Sequence, residues 1–455
     1  MPHDDTAGSA YNVAELGKDN ATGFTDLTPG DIDQGWMLDI LFRLLRTPSP
    51  SGRTDAVMQF IGDIVADLGL NAQLTRQGAL IVELPAASGT DDGESDDADL
   101  HEEIEAERCL VVHADTIGCM VSKLKDNGRL SVVPIGTFSS RFAEGARVQI
   151  ITEFPDVVYT GTILPLKTSG HAYGDEVDEQ PVSWDEVEVR VDEAVSDRAG
   201  LEELGIEVGN TVALMTHSSM SKSGYINSRH LDGKAGVAIA LAAAKSAIDG
   251  KLRLPVKTTI LVTIFEEVGH GASAGVSQNV AELVSIDNAV CAPNQNSLER
   301  GVTIPLKDMH GPFDYHLTRK LIRLGQRHGL DMARDIFTFY RSDVAAALEA
   351  GAGARAALMA FGLDGSHGWE RTHVDSLIQC AKLVTLWLQT PLTLEKWDEH
   401  RLGGLRDFPS QRQPTIAERV GDRQHEGAIS NVPRYRGADE PVDANGVSPE
   451  GWDEE

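Results

Sequence analysis

Residues 258–269 read TTILVTIFEEVG, an apolar, β-rich run that ends on two adjacent carboxylates, Glu266 and Glu267. Short continuous apolar runs of this kind suit strands buried on both faces, as in parallel sheets covered by helices. Working outward, CLVVHAD (109–115), NAVCAP (288–293) and RAALMAF (355–361) repeat the pattern. Between and around them, WMLDILFRLLRT (36–47), GKAGVAIALAAAKSAI (233–248), GPFDYHLTRKLIRLGQRHG (311–329) and VDSLIQCAKLVTLWLQ (374–389) carry helical periodicity. Alternation of strands and helices predicts a layered α/β/α domain with a mostly parallel central sheet. Residues 122–216 differ. Alternating strand patterns there, separated by Gly, Pro and Asp turns, predict a small β-rich domain inserted into the α/β one. The α/β body is then 34–121 and 217–398, interrupted by an acidic loop at 88–107. Residues 1–33 and 399–455 lack periodic apolar positions and are read as flexible tails.

The chain has 455 residues, 41% of them hydrophobic, which suffices for a large core. It carries 70 acidic and 40 basic residues, a net charge of −30. That balance argues against nucleic acid, whose binding depends on lysine and arginine stripes. It suits a cytoplasm rich in salt or osmolytes, and equally a merely soluble acidic protein. No stretch approaches the ~20 apolar residues of a membrane span, and no secretory signal is visible at the start, so a cytoplasmic protein is expected. The four cysteines lie far apart, as reduced core residues do, rather than as a disulfide framework.

Chemistry is expected where strands end. Two runs deliver polar residues to one rim: His113 and Asp115 after CLVV, and Glu266 and Glu267 after TTILVTIF. In H-x-D, one ring nitrogen can bind a cation while the aspartate orients the ring through the other. Adjacent carboxylates can divide labour, one as ligand and one as proton acceptor. Asp232 precedes a helix and reads either as its N-cap or as a carboxylate between two cations, with His230 a nearby rival. GSHGWERTHVD (365–375) adds His367 and His373 after the strand RAALMAF.

HADTIG (113–118), LDGKAG (231–236), EEVGHGA (266–272), RSD (341–343) and ERTHVD (370–375) resemble, in order and separation, the motifs of the M42 metalloaminopeptidases. PIGTFSSRFAEGARVQIIT (134–152), GTILPLKTSGH (161–171) and LGIEVGNTV (204–212) look like that family's inserted β-domain. The likeness spans about residues 36–395, and is greatest to a subgroup associated with the osmoprotectant N-acetylglutaminylglutamine amide. It implies two divalent metal ions, zinc or cobalt for such ligands, held by His113, Asp232, Glu267 and His373. Glu266 is implied as general base and Asp115 as the residue orienting His113. Where the family places a further aspartate ligand, Cys291 stands, with Asp287 or Asn294 as alternatives. Asp343 matches an acidic position near the site. The implied activity is removal of the N-terminal residue from short peptides or acylated dipeptides by a homo-oligomer, dimer or dodecamer. A two-metal N-acyl amino acid deacylase and a catalytically weak binding protein are the rival readings.

Overall fold

The computed structural model describes residues 27–85, 106–153 and 157–393. Most of the acidic loop, the tail from 399 and residues 1–26 lie outside the described residues.

Eight strands form the main sheet, in the order Asn71–Leu74, Leu80–Glu83, Thr258–Thr263, Glu107–His113, Val280–Val290, Arg355–Leu363, Val302–Lys307, Met332–Ile336. The four in the middle, from Thr258–Thr263 to Arg355–Leu363, are mutually parallel, while the next strand on each side runs antiparallel to them. Parallel pairing brings four carboxyl ends to one rim, with His113 level with Thr263. The strand that the sequence suggested only at NAVCAP runs for 11 residues and is buried almost throughout.

Side chains alternate across this sheet with the period of two that a pleat imposes. Leu110, Val112, Val284 and Ile286 face one layer, built by the helices Gln34–Arg46, Asp55–Asp67, Leu231–Asp249, Tyr315–Arg327 and Val374–Leu388. Val111, Leu261 and Leu283 face the other, where the short helix Asp343–Glu349 supplies Val344 and Ala347. The sandwich is therefore unequal, and the site opens on its thinner side. Residues 27–33, read above as tail, join the first layer: Ile32 is buried and Asp33 caps the helix that follows.

A closed six-stranded barrel occupies the middle of the chain, starting at Gly118–Leu124 and ending at Thr211–Leu214. Leu130, Val148, Ile150, Ile163 and Val189 fill it. A three-stranded antiparallel sheet, Ser219–Met220, Tyr225–Ser228 and Glu370–His373, sets Ser228 opposite Glu370 and Tyr225 opposite His373. No helix among the described residues is long and apolar enough to cross a membrane.

One buried ionic cluster anchors the base of the central strands. Glu282 accepts from Arg108 Nε (3.0 Å), Trp387 Nε1 (2.9 Å) and Lys320 Nζ (3.2 Å), and Arg108 also binds backbone carbonyls after the last helix. Burial opposes the Glu282 charge, yet Lys320 and Arg108 hold it down at about 2. Neutralising Glu282 leaves the buried Arg108 and Lys320 without the carboxylate charge they share, so Glu282→Gln should cost about 3–5 kcal/mol in denaturant unfolding at neutral pH. Because the folded pKa is depressed, the stabilisation is complete above the ordinary glutamate range and disappears as pH falls towards 2. An unfolding free energy unchanged by the substitution would contradict this account.

Candidate metal centre

His113 ends its strand and is buried. Its Nδ1 lies 3.1 Å from the carbonyl oxygen of Asp115, which makes Nδ1 the donor and turns Nε2 towards Asp232 Oδ1 at 3.2 Å. His367 repeats the arrangement. Its Nδ1 lies 2.9 Å from the carbonyl of Thr137, in the barrel, and its Nε2 faces Glu267 Oε2 at 3.2 Å and Asp232 Oδ2 at 3.3 Å. With Nδ1 donating, each Nε2 lone pair is turned to carboxylate oxygens, and that of His113 also receives the Gly233 N–H at 3.2 Å. Acceptor facing acceptor is stable only if positive charge lies between them, a proton or a cation.

Two groups of ligand atoms follow, each within 4.8 Å: His113, Asp232 and Asp287, and Asp232, Glu267 and His367. Asp232 belongs to both. Each group offers one imidazole, one private carboxylate and one oxygen of the shared carboxylate, a donor set that suits a divalent transition metal. Electrostatics agree with the fit. Burial opposes a charged ring at His113, yet Asp115, Asp232 and Asp287 raise it well above its ordinary value; Glu267 and Asp232 do the same to His367. Burial pushes Glu266, Glu267 and Asp287 up, with neighbouring carboxylates adding to each.

The local folding of each ligand has a traceable cause. Asp232 sits at the start of the helix Leu231–Asp249 with ψ 117°, off the helical path, behind His230 in the left-handed region at φ 64°. This bend aims its carboxylate into the site instead of over the helix end. Glu370 holds the bend: its carboxylate accepts from the backbone N–H of Leu231 and Asp232, and from that of His367. Burial and the Asp232 charge push Glu370 up to about 8. His367 is also left-handed, at φ 61°, which folds the loop back over the site. Gly233 is required by space: a Cβ there would meet the His113 ring at 2.2 Å.

Asp115 does more than orient His113. Its carboxylate lies 3.5 Å from His113 Nδ1 but accepts from the N–H of Glu266 (3.2 Å) and Glu267 (3.3 Å) and from Ser51 Oγ (2.5 Å). Glu267 is further fixed by the Ile117 N–H at 3.1 Å. Glu266 Oε2 lies 4.0 Å from His113 Nε2 and lines the open cavity. Asp343 accepts from Thr263 Oγ1 and from Ala272 N–H, so it braces the segment after Glu267; burial pushes it up to about 6.

The structure brings His113, Asp115, Asp232, Glu266 and Glu267 together, but not His373. That residue lies outside both groups. Its Nδ1 accepts the Asp375 N–H as the cap of the last helix, and its Nε2 bonds the Ser223 carbonyl at 2.7 Å, so neither nitrogen has a lone pair to offer. His367 takes the place instead. The strand-end rule could have found it, since His367 follows closely on the strand Arg355–Leu363 while His373 begins the next helix. Cys291 also lies apart: its thiol contacts the Ala289 carbonyl on the cavity wall, and burial pushes it up to about 11. Asp287, inside the strand, is the carboxylate grouped with His113 and Asp232. Asn294 is in neither group.

Comparison with known proteins now bears on this geometry. Residues 99–383 match the family described as M42 glutamyl aminopeptidase. The chain belongs to the M42 peptidase family. It is thus a peptidase and an aminopeptidase at family level, and M42 peptidases are metal-dependent. A putative aminopeptidase of Bacillus subtilis, YhfE, is 34% identical over 355 residues, covering 78% of this chain and 98% of the relative. Among solved structures, an aminopeptidase of the archaeon Desulfurococcus kamchatkensis is 19% identical with a TM-score of 0.70, covering 82% of this chain and 99% of its own. The Pyrococcus horikoshii TET1 peptidase is 21% identical with a TM-score of 0.66, covering 77% and 98%. These two show a shared fold for this M42 chain.

The two histidines are separable by experiment. His367→Ala should lose about one metal equivalent per chain by elemental analysis, as removal of one of few ligands does. His373→Ala should keep the full complement and melt earlier, its lost cap costing ~1 kcal/mol. The reverse pattern would return the ligand role to His373.

Proposed function

We propose that this M42 peptidase binds two divalent cations, zinc or cobalt, and removes the N-terminal residue of short peptides. The observation that carries the reading is Asp232, one carboxylate shared by two three-residue groups, with Glu266 beside them on the cavity wall. His113 and Asp287 would hold one cation, Glu267 and His367 the other, and Asp232 both. When bound, the cations polarise the scissile carbonyl and acidify a water.

The protein's own groups do the rest. Glu266 takes the proton of the attacking water and then delivers it to the departing amine. Asp115 keeps Glu266 in place through the backbone N–H and leaves its carboxylate unbonded for that task. Burial favours this role, because a base raised above the ordinary glutamate range matches the proton it must carry.

The cavity, about 1140 Å³, is large enough for a short peptide. Phe138, Phe142, Val290, Met309, Phe337 and Phe339 contribute apolar walls. Its guanidinium, that of Arg341, is paired with Glu349, and its imidazole, His367, with Asp232 and Glu267. We therefore favour apolar N-terminal residues over acidic ones. The subgroup likeness adds acetylated dipeptide amides to the substrates worth screening, in a cytoplasmic setting. Assembly into a homo-oligomer is supported by the likeness to the Pyrococcus peptidase, described as forming a tetrahedron or a large octahedral shell.

Glu266→Gln should retain its metal and lose aminopeptidase activity by ~10²–10⁴-fold, the range for a general base; near-native turnover with metal bound would remove Glu266 from the mechanism. Leucyl and phenylalanyl amides should be cleaved with higher kcat/KM than glutamyl amides. Preference for the glutamyl substrate would overturn the reading of the walls. Sedimentation should show a species larger than monomer, and monomer alone at micromolar concentration would refute assembly.

A further inference from the structure

Buried polar atoms are almost always paired, because an unpaired one carries its full desolvation cost. Asn288 Oδ1 is an exception in the wall of the metal-centre cavity. The residue is 1% exposed, and its amide oxygen is buried without a hydrogen-bond partner. The rest of that amide is fixed. Its Nδ2 donates to Asp232 Oδ2 at 2.7 Å and to Asp287 Oδ1 at 3.3 Å. Turning the amide over would set its oxygen against those carboxylates, acceptor against acceptor. Oδ1 is therefore held in place, and only a donor that enters the cavity can satisfy it.

The position of the amide says which donor. Asp232 is the carboxylate common to both ligand groups, and its two oxygens face different neighbours. On the Oδ1 edge, His113 Nε2 lies 3.2 Å from Asp232 and 4.0 Å from Glu266 Oε2. The Oδ2 edge receives Asn288 Nδ2 and, at 3.1 Å, Ser366 Oγ. In an aminoacyl substrate the carbonyl under attack has a nitrogen on each side. The departing nitrogen must face Glu266, which protonates it. The N-terminal nitrogen, on the other side of the carbonyl, is the remaining N–H donor beside the reacting centre.

We propose that Asn288 is a specificity-determining residue whose Oδ1 accepts an N–H from the N-terminal nitrogen of the substrate. The inference rests on the peptidase reading above and adds a recognition contact to it. No covalent bond is made or broken at Asn288. An amide oxygen is uncharged, so it accepts equally from a free amine and from the N–H of an acylated terminus. A substrate without that nitrogen leaves the oxygen unpaired and binds more weakly.

Leucine hydroxamate and its des-amino counterpart, isocaproyl hydroxamate, differ only in that nitrogen. Calorimetry on the full-length, metal-loaded protein compares them. Wild type should bind the leucine compound at least about tenfold more tightly, and Asn288→Leu should shrink that ratio by about tenfold, with des-amino affinity little changed. Asn288→Asp keeps an acceptor oxygen but loses the Nδ2 donor, so it should retain the ratio. For leucyl amide, Asn288→Leu should raise KM more than it lowers kcat, since the contact exists before the transition state. An unchanged ratio in Asn288→Leu would overturn the proposal. So would loss of the ratio in Asn288→Asp, or loss of metal from both variants by elemental analysis, which would make Asn288 a support for Asp232. Wild type that binds both hydroxamates equally yet cleaves leucyl amide would overturn the proposal and leave the peptidase reading standing. Wild type that binds neither and cleaves no aminoacyl amide would overturn that reading, and the proposal with it.

Discussion

Concentrated negative charge in a largely buried site is the condition that organises this protein. Asp232, Asp287, Glu266 and Glu267 share one site with two imidazoles, His113 and His367. Burial and neighbouring charge raise Glu266, Glu267 and Asp287, the carboxylates raise His113 and His367, and the two imidazoles hold the shared Asp232 below its ordinary value against burial. The same demand for positive charge is what a divalent ion answers.

The cluster persists because a second set of carboxylates holds the backbone beneath it. Asp115 binds the N–H groups of Glu266 and Glu267. Glu370 binds those of Leu231, Asp232 and His367. Asp343 binds Ala272 and Thr263. None of the three belongs to either group; each fixes a segment that carries a member of a group or Glu266. Outer contacts of this kind set ligand orientation and basicity. The inserted domain takes part through the Thr137 carbonyl, which bonds His367 Nδ1, and through Phe138 and Phe142 in the cavity wall.

Legibility followed the strands. His113, Asp115, Glu266 and Glu267 stand where apolar runs end, so a linear pattern exposes them. Asp287 was harder because it lies within its strand, flanked by Ile286 and Asn288, and the strand is longer than its apolar tail suggested. Cys291 drew attention by following that tail, yet it had already passed the rim. His367 and His373 lie six residues apart in one polar loop, and composition does not separate them. The deciding facts are a left-handed turn at His367 and a helix cap at His373. Glu370 opens ERTHVD, yet its part as a brace depends on the backbone N–H groups of Leu231 and Asp232, which are distant in the chain and which no local pattern exposes.

What the sequence alone determined was the architecture and the rim: hydrophobic periodicity dictates which segments are buried strands and which are amphipathic helices, and parallel strands must end on the same side. What only the tertiary structure decided was membership of the two groups, Asp287 over Cys291 and His367 over His373. Ligation depends on angles and separations of a few ångströms between residues distant in the chain. Periodicity carries no information at that scale, and the packed backbone does.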